Sequence, residues 1–144
     1  MARILLLNGP NLNMLGTRQP ELYGHDTLAE VEARAIETAA ELGHEITCRQ
    51  SNHEGELVTW IQEARGTAEA IVINAGAYSH TSVAIFDALS MFEGPVIEIH
   101  VSNIHAREAF RHHSYISARA DAMIAGCGVE GYTFGIKRCA TLLG

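Results

Sequence analysis

Four short apolar runs alternate with longer segments in which apolar residues recur every three or four positions. The runs cover residues 4–7, 70–73, 96–99 and 122–125. Each run has the length of a buried strand, whereas the intervening segments have the period of an amphipathic helix. A further strand is expected at residues 45–49. This βαβ pattern favours a parallel sheet covered by helices.

Capping residues mark the ends of the first helix. Asp26 or Thr27 precedes its apolar stripe as the N-cap, and Gly43 follows its end. The stripe that should face the sheet consists of Leu28, Val31, Ala35 and Leu42. Further helices are expected at residues 56–65, 81–92 and 129–143, with a broken helical stretch at 105–111. The inward stripe of the helix at 56–65 consists of Leu57, Trp60, Ile61 and Ala64, and that of the helix at 81–92 consists of Ile85, Leu89 and Phe92.

Five strands and five helices in alternation predict a flavodoxin-like α/β fold. The short connections favour a three-layer sandwich around a five-stranded parallel sheet with the strand order 2-1-3-4-5. A length of 144 residues fits one domain over residues 1–144. In such sheets ligands bind beyond the carboxyl ends of the strands, where the strand order reverses, so we expect the site there.

Charge and cysteine usage narrow the function classes. The net charge of −7 argues against a protein that binds nucleic acid through its phosphates, and small molecules are the expected ligands. The apolar run within residues 1–7 is too short for a signal peptide or a membrane span, so we expect a cytoplasmic protein with no membrane partner. Cys48, Cys127 and Cys139 form no CxxC pair and indicate neither a disulfide framework nor a zinc site.

Polar residues gather at the ends of the first, third and fourth strands. Glu98, His100 and Ser102 alternate and therefore share one face. His100 is either a core group hydrogen-bonded to Glu98 or a proton donor whose tautomer and pKa Glu98 sets. Asn11 and Asn74 are each typical of a turn, but two amides in one cleft would suit an anionic or polyhydroxylated ligand.

The glycine-bracketed segment 16–24 is typical of a lid over a ligand site, and it contains Arg18 and Tyr23. Tyrosine ordinarily has a pKa of about 10, so a tyrosine that serves as a base at neutral pH needs a cation beside it. Arg18 and Arg111 are the candidates for that cation. The alternative is a surface loop in which Tyr23 packs by its ring.

Three further features have an ordinary explanation beside a functional one. Arg107 and Arg111 are one helical turn apart, which is typical of a solvated helix face but also suits a clamp on a carboxylate. Asp87 lies off the inward stripe of its helix and is expected to be exposed or at an interface. No HExxH or CxxC pattern supports a metal site among His80, His100, His105, His112 and His113.

Several segments together carry a resemblance that covers the chain from end to end. They are residues 7–16, 18–24, 52–55, 74–82 and 98–103, followed by Arg107, Glu108, Phe110, Arg111 and Ser114. A lone Asn-Gly-Pro-Asn turn would carry little weight. In this order and spacing, the segments are similar to those of the type II 3-dehydroquinate dehydratases.

The resemblance implies a carbon–oxygen lyase of the shikimate or quinate pathway that uses no cofactor or metal. Its reaction converts 3-dehydroquinate to 3-dehydroshikimate and water by anti elimination through an enolate. The implied catalytic roles are Tyr23 as the base, Arg18 as the cation that stabilises the tyrosinate, His100 as the acid, Glu98 as its supporting carboxylate and Asn11 as a group that stabilises the enolate.

The same resemblance implies substrate binding and assembly. Asp87 is expected to reach the site of a neighbouring subunit, because the family forms trimers that associate into a dodecamer. Lys137 is the only lysine and lies in the last helix, which favours the enolate route over an imine route. The residues implied in substrate binding are Asn74, His80, Asp87, Val101 through its backbone, Ser102 and Arg111.

A flavodoxin-like module that binds a nucleotide or another small molecule without catalysis is the alternative. Such a module would need a phosphate loop rich in Ser, Thr and Gly after the first strand, where this chain has Asn-Gly-Pro-Asn-Leu-Asn. A phosphoacceptor domain would need clustered aspartates at strand ends that carry asparagines here. A metal hydrolase would lose activity to chelators.

Overall fold

The computed structural model describes residues 1–17 and 19–144. Its sheet has five parallel strands in the order β2-β1-β3-β4-β5, which confirms the predicted strand order. The order reverses beside β1, so the carboxyl ends of β1 and β3 flank the expected ligand position. The strands are β1 (Arg3–Asn8), β2 (Glu45–Gln50), β3 (Ala70–Asn74), β4 (Val96–His100) and β5 (Ala122–Ala125).

The described residues also form α-helices, which pack on both faces of the sheet, and short 3₁₀ turns. The helices are α1 (Pro20–Tyr23), α2 (Leu28–Glu41), α3 (Glu54–Thr67), α4 (Val83–Ser90) and α5 (Glu130–Leu143). The 3₁₀ turns are Leu12–Met14, Gly76–His80, Ile104–Ala106, Ala109–Arg111 and Ile116–Ala118. The predicted broken stretch at 105–111 is therefore two 3₁₀ turns rather than a helix.

Helix boundaries differ from the sequence prediction by one or two residues, as the end of α2 and the start of α4 illustrate. Thr27 is the N-cap of α2, and its hydroxyl accepts the Glu30 N–H at 3.2 Å. The helix ends at Glu41, so the prediction that Leu42 faces the sheet was wrong: Leu42 follows the helix and is 39% exposed. Helix α4 begins at Val83 because the Ser82 hydroxyl accepts the Ile85 N–H at 2.9 Å, which is a cap rather than a mid-helix contact.

Two apolar layers hold the sheet between the helices. On one face α2 and α5 pack on the sheet through residues such as Val31, Ala35 and Ile136. On the other face α3 and α4 contribute Leu57, Ile61, Ile85 and Leu89. Burying a Leu or Ile side chain stabilises a fold by about 1.5–3 kcal/mol, so both layers fix the strands that carry the strand-end loops. Trp60 was predicted to face inward and is only half-buried, with the Arg49 guanidinium 5.3 Å from its ring centre.

A close backbone approach joins the loop after β1 to the loop after β3. The Gly9 N–H donates to the Asn74 carbonyl oxygen at 2.8 Å. A Cβ at position 9 would lie 2.3 Å from the Ala75 carbonyl oxygen, far inside contact distance. Only glycine permits this approach, which sets the spacing between the two loops. Within the described ranges 1–17 and 19–144, the helices are all too short or too polar to cross a bilayer.

Candidate active site

A cleft of about 220 Å³ opens beyond the carboxyl ends of β1, β3 and β4, at the predicted position. Loops that follow those strands form its floor, and α1 brings Tyr23 to its rim. The structure brings together at this cleft most of the residues singled out from the sequence. The predicted site residues that line it are Asn11, Tyr23, Asn74, His80, His100, Val101, Ser102 and Arg111.

Glu98 lies behind His100 rather than in the wall of the cleft, and it is completely buried. Its carboxylate accepts hydrogen bonds from His100 Nε2, from the Ser114 hydroxyl at 2.6 Å and from the Ser117 hydroxyl at 2.5 Å. Burial alone raises the pKa of Glu98, but these three donors outweigh burial and hold the pKa below its usual value. Glu98 is therefore an anion beside the imidazole. Ser117 was not found from the sequence.

His80 and His100 lie face to face at the cleft, with ring centres 6.1 Å apart and planes at 22°. His80 Nδ1 donates to the His113 carbonyl oxygen at 2.8 Å, which leaves Nε2 as the acceptor nitrogen of the neutral ring. Burial lowers the pKa of His80, and the charges of His100 and Arg111 lower it further. His80 is thus neutral at pH 7. His100 differs from it because its Nε2 is hydrogen-bonded to the Glu98 carboxylate.

Arg107 is a cation beside Tyr23, a place for which the sequence suggested Arg18 or Arg111. Its Nη1 donates to the Tyr23 hydroxyl at 2.7 Å and to the Ser102 hydroxyl at 3.2 Å, and its side chain is 12% exposed. Arg107 was interpreted as a solvated residue or a carboxylate clamp and was not among the predicted site residues. Arg111 instead pairs with Glu108 at 3.1 Å while lining the cleft. The predicted role of Arg18 falls outside the described residues.

Asn11 has a left-handed backbone conformation, with φ of 70°, as the turn interpretation requires. Its N–H donates to Asn52 Oδ1 at 2.9 Å, so the loop after β2 helps to hold the turn. Asn11 lines the cleft as well. The turn interpretation and a place at the cleft are therefore compatible for Asn11.

Asn74 is tied to α5 by a buried hydrogen-bond chain. Its Nδ2 donates to the Tyr132 hydroxyl at 2.8 Å, and that hydroxyl donates to Asn8 Oδ1 at 2.6 Å. Burial raises the pKa of Tyr132, so its hydroxyl stays protonated. The Gly76 N–H donates to Asn74 Oδ1 at 3.1 Å. Sequence reasoning did not single out Tyr132, because a tyrosine on the inward face of a helix normally fills core volume.

Asp87 is the predicted site residue that the structure places away from the cleft. It is exposed on α4, one turn after Val83, which is 51% exposed. Neither residue belongs to the buried layer formed by Ile85 and Leu89. Asp87 therefore does not complete the cleft of its own chain.

Among residues 1–17 and 19–144, no three His, Cys, Asp or Glu side chains are arranged to hold a metal ion. The cysteines in this part of the chain are free, and burial raises the pKa of the Cys139 thiol to about 12, which makes it unreactive. What the arrangement does offer is an anion-supported imidazole on one side and a guanidinium-bound phenol on the other. Such a pair suits proton transfer.

A family model and two sequence relatives show which known proteins this chain is similar to. The model of the family described as class II dehydroquinase matches residues 2–140. The chain is 64% identical over 144 residues to a 3-dehydroquinate dehydratase of Streptomyces coelicolor, covering 99% of this chain and 92% of that protein. It is 60% identical over 144 residues to 3-dehydroquinate dehydratase 2 of Agrobacterium fabrum, covering 99% and 97%.

Solved structures agree with the sequence relatives. The crystal structure of the type II dehydroquinase from Propionibacterium acnes superposes with a TM-score of 0.95 at 45% identity, covering 98% of this chain and 97% of that one. The type II dehydroquinase from Butyrivibrio crossotus gives a TM-score of 0.93 at 41% identity, covering 96% and 97%.

Proposed function

The chain belongs to the class II dehydroquinase family, and we propose that its cleft dehydrates 3-dehydroquinate to 3-dehydroshikimate. The enzyme is a carbon–oxygen lyase. The observation that carries the proposal for the site is the presence of two differently supported proton-transfer groups at one cleft: Tyr23 with Arg107, and His100 with Glu98. The first would remove a proton and the second would supply one.

The base is Tyr23. Its phenolate takes the proton next to the ketone, and the C–H electron pair moves into the enolate. Before the transfer the negative charge is on the Tyr23 oxygen, which lies 2.7 Å from Nη1 of Arg107. Asn11, on the strained turn of the cleft floor, stabilises the enolate oxygen directly or through water. Arg18 adds a second cation to this side, a role that rests on the family resemblance alone.

The acid is His100. Since Nε2 of His100 is held by Glu98, the nitrogen left for the substrate is Nδ1, and it carries a proton only in the imidazolium form. The buried Glu98 anion stabilises that form. Collapse of the enolate breaks the C–O bond, and the leaving hydroxide takes the Nδ1 proton to depart as water. Proton return from Tyr23 to His100 through solvent completes the cycle.

The remaining residues of the cleft bind the substrate. The Arg111 guanidinium suits its carboxylate, while Asn74, the Val101 backbone, Ser102 and neutral His80 suit its hydroxyl groups. The substrate needs no cofactor for this chemistry. Residues 16–24 act as a lid, and residues 1–144 act as one domain.

Asp87 completes the site of a neighbouring copy. Its exposure on α4 beside the exposed Val83, and its distance from its own cleft, support a role across a subunit contact. We place it in a trimer, with trimers assembled into a dodecamer. The enzyme works in the cytoplasm, in the shikimate route to aromatic amino acids or in quinate breakdown.

The test is the ultraviolet absorbance of purified protein mixed with 3-dehydroquinate, because the conjugated enone of the product absorbs where the substrate does not. The absorbance should rise, and it should rise equally fast in the presence of a chelator. A folded protein that gives no rise would return the cleft to the binding-module alternative. A rise that the chelator abolishes would indicate a metal-dependent reaction instead.

A further inference from the structure

The hydroxyl of Tyr132 connects two of the three strands that end at the cleft. It donates to Asn8 Oδ1 on β1 and accepts from Asn74 Nδ2 on β3. Asn8 and Asn74 are direct neighbours in the register of the two strands. A phenylalanine would fill nearly the same volume under the sheet, so packing alone does not account for the hydroxyl.

The three groups have one consistent set of donors and acceptors. The Gly76 N–H donates to Asn74 Oδ1, and a reversed amide would set two N–H groups against each other there. The amide nitrogen of Asn74 must therefore face Tyr132. Because that nitrogen donates to the phenolic oxygen, the single hydroxyl proton is left for Asn8 Oδ1.

The presence of a buried asparagine at position 8 supports this assignment of donors and acceptors, because Asn8 is unfavourable for stability. Its side chain is completely buried, and its Nδ2 has no hydrogen-bond partner among the described residues. An unsatisfied buried amide destabilises a fold, so an apolar residue would serve packing better. The acceptor that Asn8 supplies to Tyr132 is the contact that the apolar residue would lose.

We propose that Tyr132 is a positioning residue that fixes the Asn74 amide so that it presents an N–H, and not a carbonyl oxygen, to the substrate. Nδ2 carries two hydrogens; Tyr132 takes one, and the other belongs to a residue that lines the cleft and is only 4% exposed. The ligand group facing it is thus an oxygen acceptor, such as a hydroxyl or carboxylate oxygen. The inference rests on the proposed function, because it names what holds one of the proposed substrate-binding side chains.

The test compares Tyr132→Phe with Asn74→Ala and with the double variant. Tyr132→Phe should raise KM for 3-dehydroquinate about fivefold to tenfold, with kcat within about twofold of wild type. In the Asn74→Ala background the same change should leave KM unchanged within about twofold, because the group it positions is absent. Independent, multiplying effects of the two changes on KM would overturn the inference.

A matched variant separates positioning from lost packing. Ile136→Val truncates a fully buried side chain on α5, one turn after Tyr132, and should lower the melting temperature while leaving KM unchanged. A rise in KM equal to that of Tyr132→Phe would overturn the inference. Should Tyr132→Phe fail to fold, Asn8→Ala removes the acceptor of the hydroxyl without altering the cleft wall, and it must raise KM in the same direction. An unchanged KM in a folded Asn8→Ala protein would overturn the inference too.

The wild-type assay keeps the two levels of the proposal apart. Absence of turnover by wild-type protein would refute the proposed function itself. Turnover by wild type together with a KM that Tyr132→Phe does not change would refute only the positioning role.

Discussion

Arg107 and Tyr23 are 84 residues apart in the sequence, yet the Arg107 guanidinium donates a 2.7 Å hydrogen bond to the Tyr23 hydroxyl. The guanidinium carbon also lies 5.4 Å from the centre of the tyrosine ring. The same nitrogen donates to the Ser102 hydroxyl, two residues past the end of β4. Arg107 therefore links α1 to the segment that follows His100, the proposed acid at the end of β4.

Tyr23→Phe should reduce kcat on the order of 100-fold or more while substrate binding stays measurable, because the variant keeps the ring but has no atom to accept the proton. Enone absorbance measures kcat, and calorimetric titration of the inactive variant measures binding. Tyr115→Phe is the matched control, since Tyr115 does not line the cleft and packs on His113. Near-normal turnover by Tyr23→Phe would remove Tyr23 from the mechanism.

Arg107→Lys should lower kcat roughly 10- to 100-fold, because a lysine keeps the charge but its shorter side chain places the ammonium short of Nη1, the nitrogen that bonds both Tyr23 and Ser102. Arg107→Gln, which loses the charge as well, should lower kcat further. Both effects are read from steady-state rates beside Arg65→Gln, a substitution of an exposed arginine on α3. If Arg107→Gln turned over substrate as fast as Arg65→Gln does, the contact with Tyr23 would have no catalytic part.

Ser117→Ala should move the acidic limb of the kcat profile to higher pH. The Ser117 hydroxyl is one of the donors that lower the pKa of Glu98, so its removal raises that pKa and Glu98 loses its charge at a higher pH. Thr141→Ala, which removes an exposed hydroxyl from α5, should leave the limb in place. A limb that Ser117→Ala does not move would show that the charge of Glu98 is not what supports His100.

The same pKa governs acid stability. The pKa of Glu98 is lower in the folded chain than the value of about 4.3 in an unfolded chain, so its stabilisation is complete above that pH and is lost as the pH falls through the folded value. Ser117→Ala should therefore reduce the loss of unfolding free energy on acidification, measured by denaturant titrations from neutral to acidic pH. An identical pH dependence in wild type and variant would contradict this.

Mixed oligomers test whether Asp87 acts across a subunit contact. Asp87→Ala and Tyr23→Phe should each be weakly active alone, but refolding the two together should restore activity. A chain with native Tyr23 then receives Asp87 from its neighbour, whereas no single chain holds both. Mixtures no more active than their components, or a mass measurement that finds only active monomers, would overturn the role.

Gly9→Ala should destabilise the protein by about 2 kcal/mol or more and reduce activity, because the added Cβ meets the Ala75 carbonyl oxygen and forces the two loops apart. Gly66→Ala is the matched control: a Cβ there meets nothing within 4 Å, and alanine in α3 should stabilise by about 0.5–1 kcal/mol. Thermal unfolding and kcat measure the two effects. Equal melting temperatures for the two variants would contradict the close approach.

The sheet could be predicted because four of its five strands contain short apolar runs. The position of the cleft could be predicted because the strand order determines which strand ends meet. Contacts between residues that are distant in the sequence could not be predicted. Arg107 approaches Tyr23 only because residues 104–111 form two 3₁₀ turns, a path that helical spacing did not indicate. Leu42 satisfied the helical period but lies one residue past the last turn of α2.

Tyr132 illustrates the same limit from the core. Its position on α5 is that of an ordinary apolar residue, and its partner Asn8 is 124 residues away. Nothing local distinguishes a tyrosine that fills space from one whose hydroxyl orders two amides. The role of the hydroxyl depends on which strand ends lie beside it, and the strand ends take those positions only in the assembled sheet.

Gly9 extends the meaning of a functional residue beyond contact with the substrate. Its lack of a side chain lets one loop lie against another, and the cleft exists at the junction. During evolution an aliphatic residue of the cleft wall, such as Val101, can be replaced by another aliphatic residue, since only its bulk or its backbone is used. Gly9 cannot be exchanged in this way, because any side chain would collide with the Ala75 carbonyl. Natural selection for this activity should therefore conserve Gly9 as strictly as the residues that perform the chemistry.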